Sequence, residues 1–183
     1  AVAALAKGKR VLDCFTHTGS FALNAARGGA ERVTAVDISE SAIELAKSNA
    51  CLNSLDDKIE FVASDVFDLL PSLERAGGKP YDFIILDPPA FTKSRSTIDS
   101  ATRGYKEINF RAMKLLPRGG FLATCSCSHF MEDSAFRRML KSAARDASLE
   151  LRQIEERRQS PAHPILWGVP ETEYLKFYIF QVV

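Results

Sequence analysis

Apolar runs of strand length alternate with helix-period segments along almost the whole chain, and this pattern does most to restrict its fold. "KRVLDCF" (9–15), "RVTAVD" (32–37), "IEFVAS" (59–64), "YDFIILD" (81–87) and "RGGFLATCS" (118–126) read as strands. Between them, 20–29, 39–53, 66–75 and 101–116 carry helical periodicity. Such alternation favours a parallel sheet covered by helices on both faces. A helix over 132–146, a strand near 148–155, a proline-rich loop (161–170) and a terminal strand "YLKFYIFQVV" (174–183) follow. No crossover helix separates the last two strands, so they are expected to pair antiparallel at the sheet edge. The expected fold is α/β: a Rossmann-like, doubly wound, mostly parallel seven-stranded sheet with an antiparallel edge strand, in one domain over 1–183.

The balance of 46% hydrophobic and 26% charged residues is that of an ordinary globule. No apolar run approaches the roughly 20 residues that cross a bilayer, and the opening "AVAALAKGKR" has neither the basic start nor the long apolar core expected of a leader. Four cysteines, at 14, 51, 125 and 127, are too few and too irregular for a disulfide scaffold, which points to reduced thiols in the cytoplasm. A net charge of +1 does not mark a nucleic-acid binder. Locally, however, Lys93, Arg95, Arg103, Lys106, Arg111, Lys114 and Arg118 face only Asp99 and Glu107. This stretch is either a solvated helix face or a phosphate-contacting one.

In a doubly wound sheet the ligand crevice lies beyond the carboxyl ends of the strands, where strand order reverses. That rule selects the segment after Asp13, then Asp37, Asp65, the "DPPAF" after the fourth strand and the "CSCS" after the fifth. The first loop, "DCFTHTGSF", has one glycine, Gly19, where a dinucleotide fingerprint has three. It also lacks a P-loop lysine, so a ligand without phosphates fits better. Asp37 can accept hydrogen bonds from both hydroxyls of a ribose or cap the following helix, for which Ser39 stands in N-cap position. Asp65 can cap the helix after it. Acids recurring at successive strand ends suit a nucleoside such as S-adenosylmethionine. In "DPPAF" two prolines stiffen a loop that presents the Asp87 carboxylate, and Phe91 either stacks on a flat substrate or fills the core.

Together these segments resemble class I S-adenosylmethionine-dependent methyltransferases. More narrowly, "VLDCFTHTGSFAL", "VDISESAIELAKSNACLN", "DPPAF", "RGYKEIN", "TCSCS" and "HPILWGVPETEYLK" are similar to the large-subunit ribosomal RNA 5-methylcytosine methyltransferases, over nearly the whole chain. Members of that family carry an RNA-binding PUA domain before the catalytic domain, so the resemblance implies a C-terminal fragment of a longer protein. It implies a donor pocket formed by Asp13, Phe15, Thr18, Gly19, Asp37, Ser39, Asp65, Val66 and Asp87. Its substrate side takes in Pro88, Pro89, Phe91, Lys93, Arg95, Arg103 and Lys106. The implied partner is RNA of the 23S ribosomal type, with no membrane and no metal, and a homodimer stays open.

The family's chemistry adds a cysteine thiolate to carbon 6 of cytosine, which makes carbon 5 nucleophilic enough to take a methyl group. Its "SCS" frame selects Cys127, whereas a related branch uses a "TCS" frame that selects Cys125. Position at the strand's carboxyl end also favours Cys127, and a regular strand would point both thiols to one side. Asp87 is implied to hydrogen-bond the cytosine edge and stabilise the charge that develops. "DPPAF" lacks the second cysteine found in other 5-methylcytosine enzymes, which leaves the proton acceptor unassigned. A C-x-C pair with His129 is a poor start for zinc, and Cys14 and Cys51 are expected to be buried small hydrophobes. His17 and His129 stand near strand ends, where histidine is more often structural than catalytic; the role of His163 is open. Two other functions remain: a base-amino or ring-nitrogen methyltransferase of the same fold, and an idle RNA-binding module.

Overall fold

The computed structural model describes residues 1–92 and 94–183, without the side chain of Arg95. Lys93 and the Arg95 side chain, expected on the substrate side, lie outside the described residues. A short helix α1 (Val2–Leu5) leads into β1 (Arg10–Cys14), α2 (Ser20–Arg27), β2 (Arg32–Asp37), α3 (Glu40–Leu52), β3 (Ile59–Ala63) and α4 (Val66–Ala76). Then come β4 (Phe83–Leu86), α5 (Ile98–Leu115), β5 (Phe121–Ser126), α6 (Asp133–Asp146), β6 (Leu151–Arg157) and β7 (Lys176–Val182).

The seven strands form one sheet in the order β3-β2-β1-β4-β5-β7-β6. Strands β1 to β5 are parallel, and β7 runs antiparallel to both β5 and β6. The expected antiparallel pairing at that end of the sheet holds; β7 inserts between β5 and β6, so β6 closes the edge. Strand order reverses between β1 and β4, which puts the crevice between their carboxyl ends.

Each central strand divides its side chains between two cores, as the pleat requires. Leu12, Ile84, Leu86 and Leu122 face one core with α4, α5 and α6, which contribute Leu70, Tyr105, Ile108, Phe136 and Met139. Val11, Phe83, Ile85, Ala123 and Cys125 face the other, built with Val2, Ala22, Ala25 and Ala50. Small alanines there let α2 lie close on the sheet. The close approach of α1 is sharper still: a Cβ at Gly28 would stand 2.2 Å from the Ala3 carbonyl oxygen.

Helix α3 begins as its sequence suggests, with the Ser39 hydroxyl accepting from the Ala42 N–H at 3.3 Å. Asp65 likewise caps α4 through the Phe67 N–H at 2.8 Å. Cys14 is buried, but Cys51 is exposed, contrary to expectation. The buried face of α3 is Ala42, Ile43, Ala46 and Ala50, and position 51 falls on the solvent side. Among the described residues, no helix is long and apolar enough to cross a membrane.

Candidate active site

A cleft of about 730 Å³ opens beyond the carboxyl ends of β1 to β5, within the range of small-molecule sites. Phe15, His17, Asp37, Ile38, Asp65, Val66, Phe67, Asp87, Pro88, Pro89, Phe91, Cys127, Tyr174 and Leu175 line it. A second groove of about 490 Å³, between α6 and the β6–β7 ribbon, has an apolar lining that includes Leu140, Leu151 and Phe180 but neither a carboxylate nor a thiol. The first is therefore the candidate site.

One wall is the loop after β1, which turns tightly because three alternate residues, Phe15, His17 and Gly19, have φ of 63°, 49° and 84°. Left-handed backbone is unfavourable for the first two and costs of order 1–3 kcal/mol each, so neighbouring bonds must hold it. They do so through Asp13, which is fully buried and accepts from the Thr16 hydroxyl at 2.6 Å and the Ala22 N–H at 2.9 Å. Burial pushes this carboxyl up to about 7, against the pull of those two bonds, and its other oxygen has no partner. Asp13 thus shapes the loop from beneath and does not line the cleft. Gly19 is required twice over, by its φ and by Ala46, whose Cβ would lie 3.2 Å from an added one. Thr18 faces a separate shallow depression with Asn24 and Asn49, and Ser39 spends its hydroxyl on the helix cap. Of the expected donor-pocket residues, Phe15, Asp37, Asp65, Val66 and Asp87 come together, while Asp13, Thr18, Gly19 and Ser39 support them from outside.

Asp37 accepts from the N–H of His17 at 2.9 Å and of Ser39 at 3.0 Å, one on each carboxylate oxygen. Each oxygen keeps a further lone pair for a ligand. Ile38 and Phe67 stand exposed beside it, two large apolar side chains whose exposure a ligand with a flat ring would relieve.

The opposite wall comes from "DPPAF" and the turn after β5. Phe91 packs against Tyr105, Phe67 and Phe15, with ring centroids 4.6, 5.7 and 6.3 Å away. It is a half-buried wall of the cleft, and Gly104 leaves room for it: a Cβ there would lie 3.3 Å from the ring. The two thiols have different surroundings. Cys125 is buried in the sheet core with 2% exposure, and its thiol donates to the Asp87 carboxylate. Burial pushes that thiol well up. Cys127 follows the last residue of β5 and lines the cleft, with its sulfur 3.9 Å from the Pro88 carbonyl. The serines on either side turn inward: Ser126 donates to the Tyr105 hydroxyl at 3.2 Å and Ser128 to the Thr92 carbonyl at 3.0 Å. With both neighbours anchored, position 127 is the one turned toward solvent.

Burial raises the Cys127 thiol, and the charge of Asp87 raises it further; its own backbone N–H and Lys176 oppose this. Asp87 is itself held above the usual carboxylate range by burial, with the Cys125 thiol pulling the other way.

Among the described residues, no basic side chain of α5 lines the cleft. Lys106 pairs with Asp146 on α6 at 2.6 Å, Arg111 with Glu74 at 2.5 Å and Glu107 at 2.8 Å, and Lys114 with Glu74 at 3.6 Å. These ion pairs tie α5 to its neighbours, and Lys106 does not line the cleft. Arg103 is exposed on α5. His129 is exposed and packs on Phe130, and His163 meets the Tyr174 hydroxyl at 3.2 Å. Among the described residues no group of three or more His, Cys, Asp or Glu could hold a metal ion.

A sequence profile described as S-adenosylmethionine-dependent methyltransferase matches residues 1–180. This chain belongs to that methyltransferase family. It is 46% identical over 179 residues to "Ribosomal RNA large subunit methyltransferase I" of Yersinia pestis bv. Antiqua (strain Angola), covering 97% of this chain and 45% of the relative. The same figures hold for the protein of that name from Yersinia pseudotuberculosis serotype O:3 (strain YPIII). The chain thus spans about half the length of the curated relatives it matches. In fold it is similar to SMU.776, crystallised in complex with SAH (TM-score 0.86, 24% identity, 99% of this chain and 47% of that one). It is also similar to TrmN from Thermus thermophilus (TM-score 0.65, 25% identity, 100% and 47%).

The methyltransferase cofactor, S-adenosylmethionine, fits the residues present. Asp37, Asp65 and Asp87 line the cleft, and no lysine or arginine does among the described residues. Such a lining repels phosphates and suits a ligand that carries a sulfonium and an ammonium. Sequence reading missed Ile38, Phe67, Tyr174 and Leu175. An apolar residue directly after the strand-ending Asp37 was a local signal; Tyr174 and Leu175 lie in the segment "HPILWGVPETEYLK", whose resemblance pointed to a substrate-side loop without singling them out.

Proposed function

We propose that this chain is the catalytic domain of an RNA cytosine-C5 methyltransferase acting on large-subunit ribosomal RNA of the 23S type. The supporting observation is that Cys127 and Asp87 line one cleft while Cys125 is withdrawn into the core. Likeness to relatives named for the ribosomal large subunit supports the choice of RNA. Such a substrate puts the site of action in the cytoplasm.

In this reading Asp37 holds the ribose hydroxyls of the cofactor through its free lone pairs, and Ile38 and Phe67 flank the base. When bound, S-adenosylmethionine supplies an electrophilic methyl group to carbon 5 of the cytosine. Asp87 accepts from a protonated N3 or from the 4-amino group, where uracil presents a carbonyl instead. A cytosine must leave its stack to reach so recessed a pair, and Pro89 and Phe91 line its path. Cys127 then bonds to carbon 6, and the electrons of the 5,6 double bond move to carbon 5. After methylation, loss of the carbon 5 proton to a base restores the double bond and expels the thiolate. The charge of Asp87 opposes thiolate formation in the empty cleft. Binding a protonated base edge offsets that charge, so the nucleophile is activated where a substrate is present.

The test is to incubate the protein with ribosomal RNA and labelled cofactor and identify the product by mass spectrometry of nucleosides. 5-Methylcytosine is expected. A methyl group on a base nitrogen would move the function to the alternative chemistry of this fold, and no transfer with intact cofactor binding would favour an RNA-binding module.

A further inference from the structure

Strand β7 opens with a lysine that has almost no contact with solvent, Lys176, at 4% exposure. Its ammonium donates to the Ser128 carbonyl at 2.6 Å and to the Tyr174 carbonyl at 2.7 Å. Among the described residues no carboxylate lies within ion-pair distance of it, although buried charges are ordinarily paired. Burial pulls the ammonium down to about 8, so the fold bears a cost that a methionine of similar volume would avoid. The position of the two carbonyls suggests what the charge does. Ser128 directly follows Cys127, and Tyr174 lines the cleft.

Among the described residues, the charged groups around this pair are few. Facing Lys176 are Cys127, whose influence ranks first among them, then Asp133, Arg158 and Glu173. Facing Cys127 are Asp87 from the β4 side, which opposes the thiolate, and Lys176 from β7, which favours it. Among the described residues, Lys176 is the cation that acts on the thiol.

We propose that Lys176 is a positioning residue for Cys127: it staples the turn that carries the thiol to the start of β7 and sets a positive charge behind the sulfur, favouring the thiolate. This rests on the reading of Cys127 as nucleophile, but its test needs no turnover. Cys127 alkylation by iodoacetamide is followed against pH by peptide mass spectrometry, which separates it from the exposed Cys51. In Lys176→Gln, which keeps N–H donors for the carbonyls but loses the charge, the midpoint should rise by about one pH unit, or roughly tenfold slower alkylation at pH 8. Lys176→Arg should restore most of the shift. A midpoint that stays put in folded Lys176→Gln would overturn the proposal.

A second readout leaves Lys176 in place. Cys127→Ser removes the neighbouring thiolate, and NMR of 15N-labelled lysine should then show the Lys176 midpoint falling; an unchanged midpoint would also overturn the coupling. Should the coupling hold and RNA carry no methylated cytosine, the function fails and the lysine's influence on the thiol stands.

Discussion

On the β1–β2 side of the cleft, main-chain N–H groups hold carboxylates; on the β4–β5 side, side chains hold main-chain carbonyls. Asp13, Asp37 and Asp65 receive the N–H groups of Ala22, of His17 and Ser39, and of Phe67. Across the cleft, Lys176 ties the carbonyls of Ser128 and Tyr174, and Ser128 that of Thr92. The first arrangement fixes acceptors with the backbone itself, which suits a pocket that binds one ligand in one pose. The second sets the proposed nucleophile on a turn whose anchors are single side chains. A substitution on the β5 side should therefore change chemistry, and one on the β1 side should change binding or stability.

The sharpest break in this comparison is within β5 and its turn. Cys127→Ala is expected to lower single-turnover methylation by at least roughly 10³-fold, the scale seen on removing a covalent nucleophile. Cys125→Ala should cost about 1–2 kcal/mol of stability and keep most of the rate. If the two variants exchange these outcomes, the nucleophile is the buried thiol.

On the other wall, Asp13 connects pH to stability. Its folded value of about 7 lies above that of an unfolded carboxyl, so its contribution is complete below about pH 4 and is lost as pH rises through about 7. Urea unfolding of Asp13→Asn against the parent should show the variant gaining about 3 kcal/mol between pH 5 and pH 8. Parallel stability curves would mean that the carboxyl ionises without cost.

Asp37→Asn keeps one acceptor and the helix start. Calorimetry should report S-adenosylmethionine affinity weaker by about 1–2 kcal/mol, roughly 5- to 30-fold, with the Cys127 alkylation profile unmoved. A shift in that profile would mean the two walls are not separable. The smallest effect is expected at Lys106. Breaking its exposed pair with Asp146 should cost about 0–1 kcal/mol and leave RNA affinity and its salt dependence unchanged. A shallower salt slope would return this lysine to the RNA-contacting surface.

These contrasts also explain how far the sequence could be read. Strands such as "RVTAVD" and "YDFIILD" and the caps at Ser39 and Asp65 depend on neighbours a few residues away, so local pattern carried them. Acids at successive strand ends likewise marked the cleft, because parallel strands align their carboxyl ends. What local pattern lacks is the partner. Lys106 looks like a phosphate ligand until α6 brings Asp146 to it. Cys51 looks like a core residue until the register of α3 turns it outward. Lys176 reads as a residue of the terminal strand, and only the antiparallel insertion of β7 beside β5 brings its ammonium to the Ser128 carbonyl, next to Cys127. Asp13 reads as a ligand-binding acid, whereas the left-handed turns at Phe15 and His17 fold the loop over it.

The most direct test of the central claim is to incubate the protein with cofactor and an RNA in which the target cytosine carries fluorine at carbon 5, and to map any covalent adduct by peptide mass spectrometry. Carbon 5 then has no removable proton, and the account predicts an adduct on Cys127 that Cys127→Ala abolishes and Cys125→Ala retains. Methyl transfer with no adduct, or an adduct on Cys125, would contradict it.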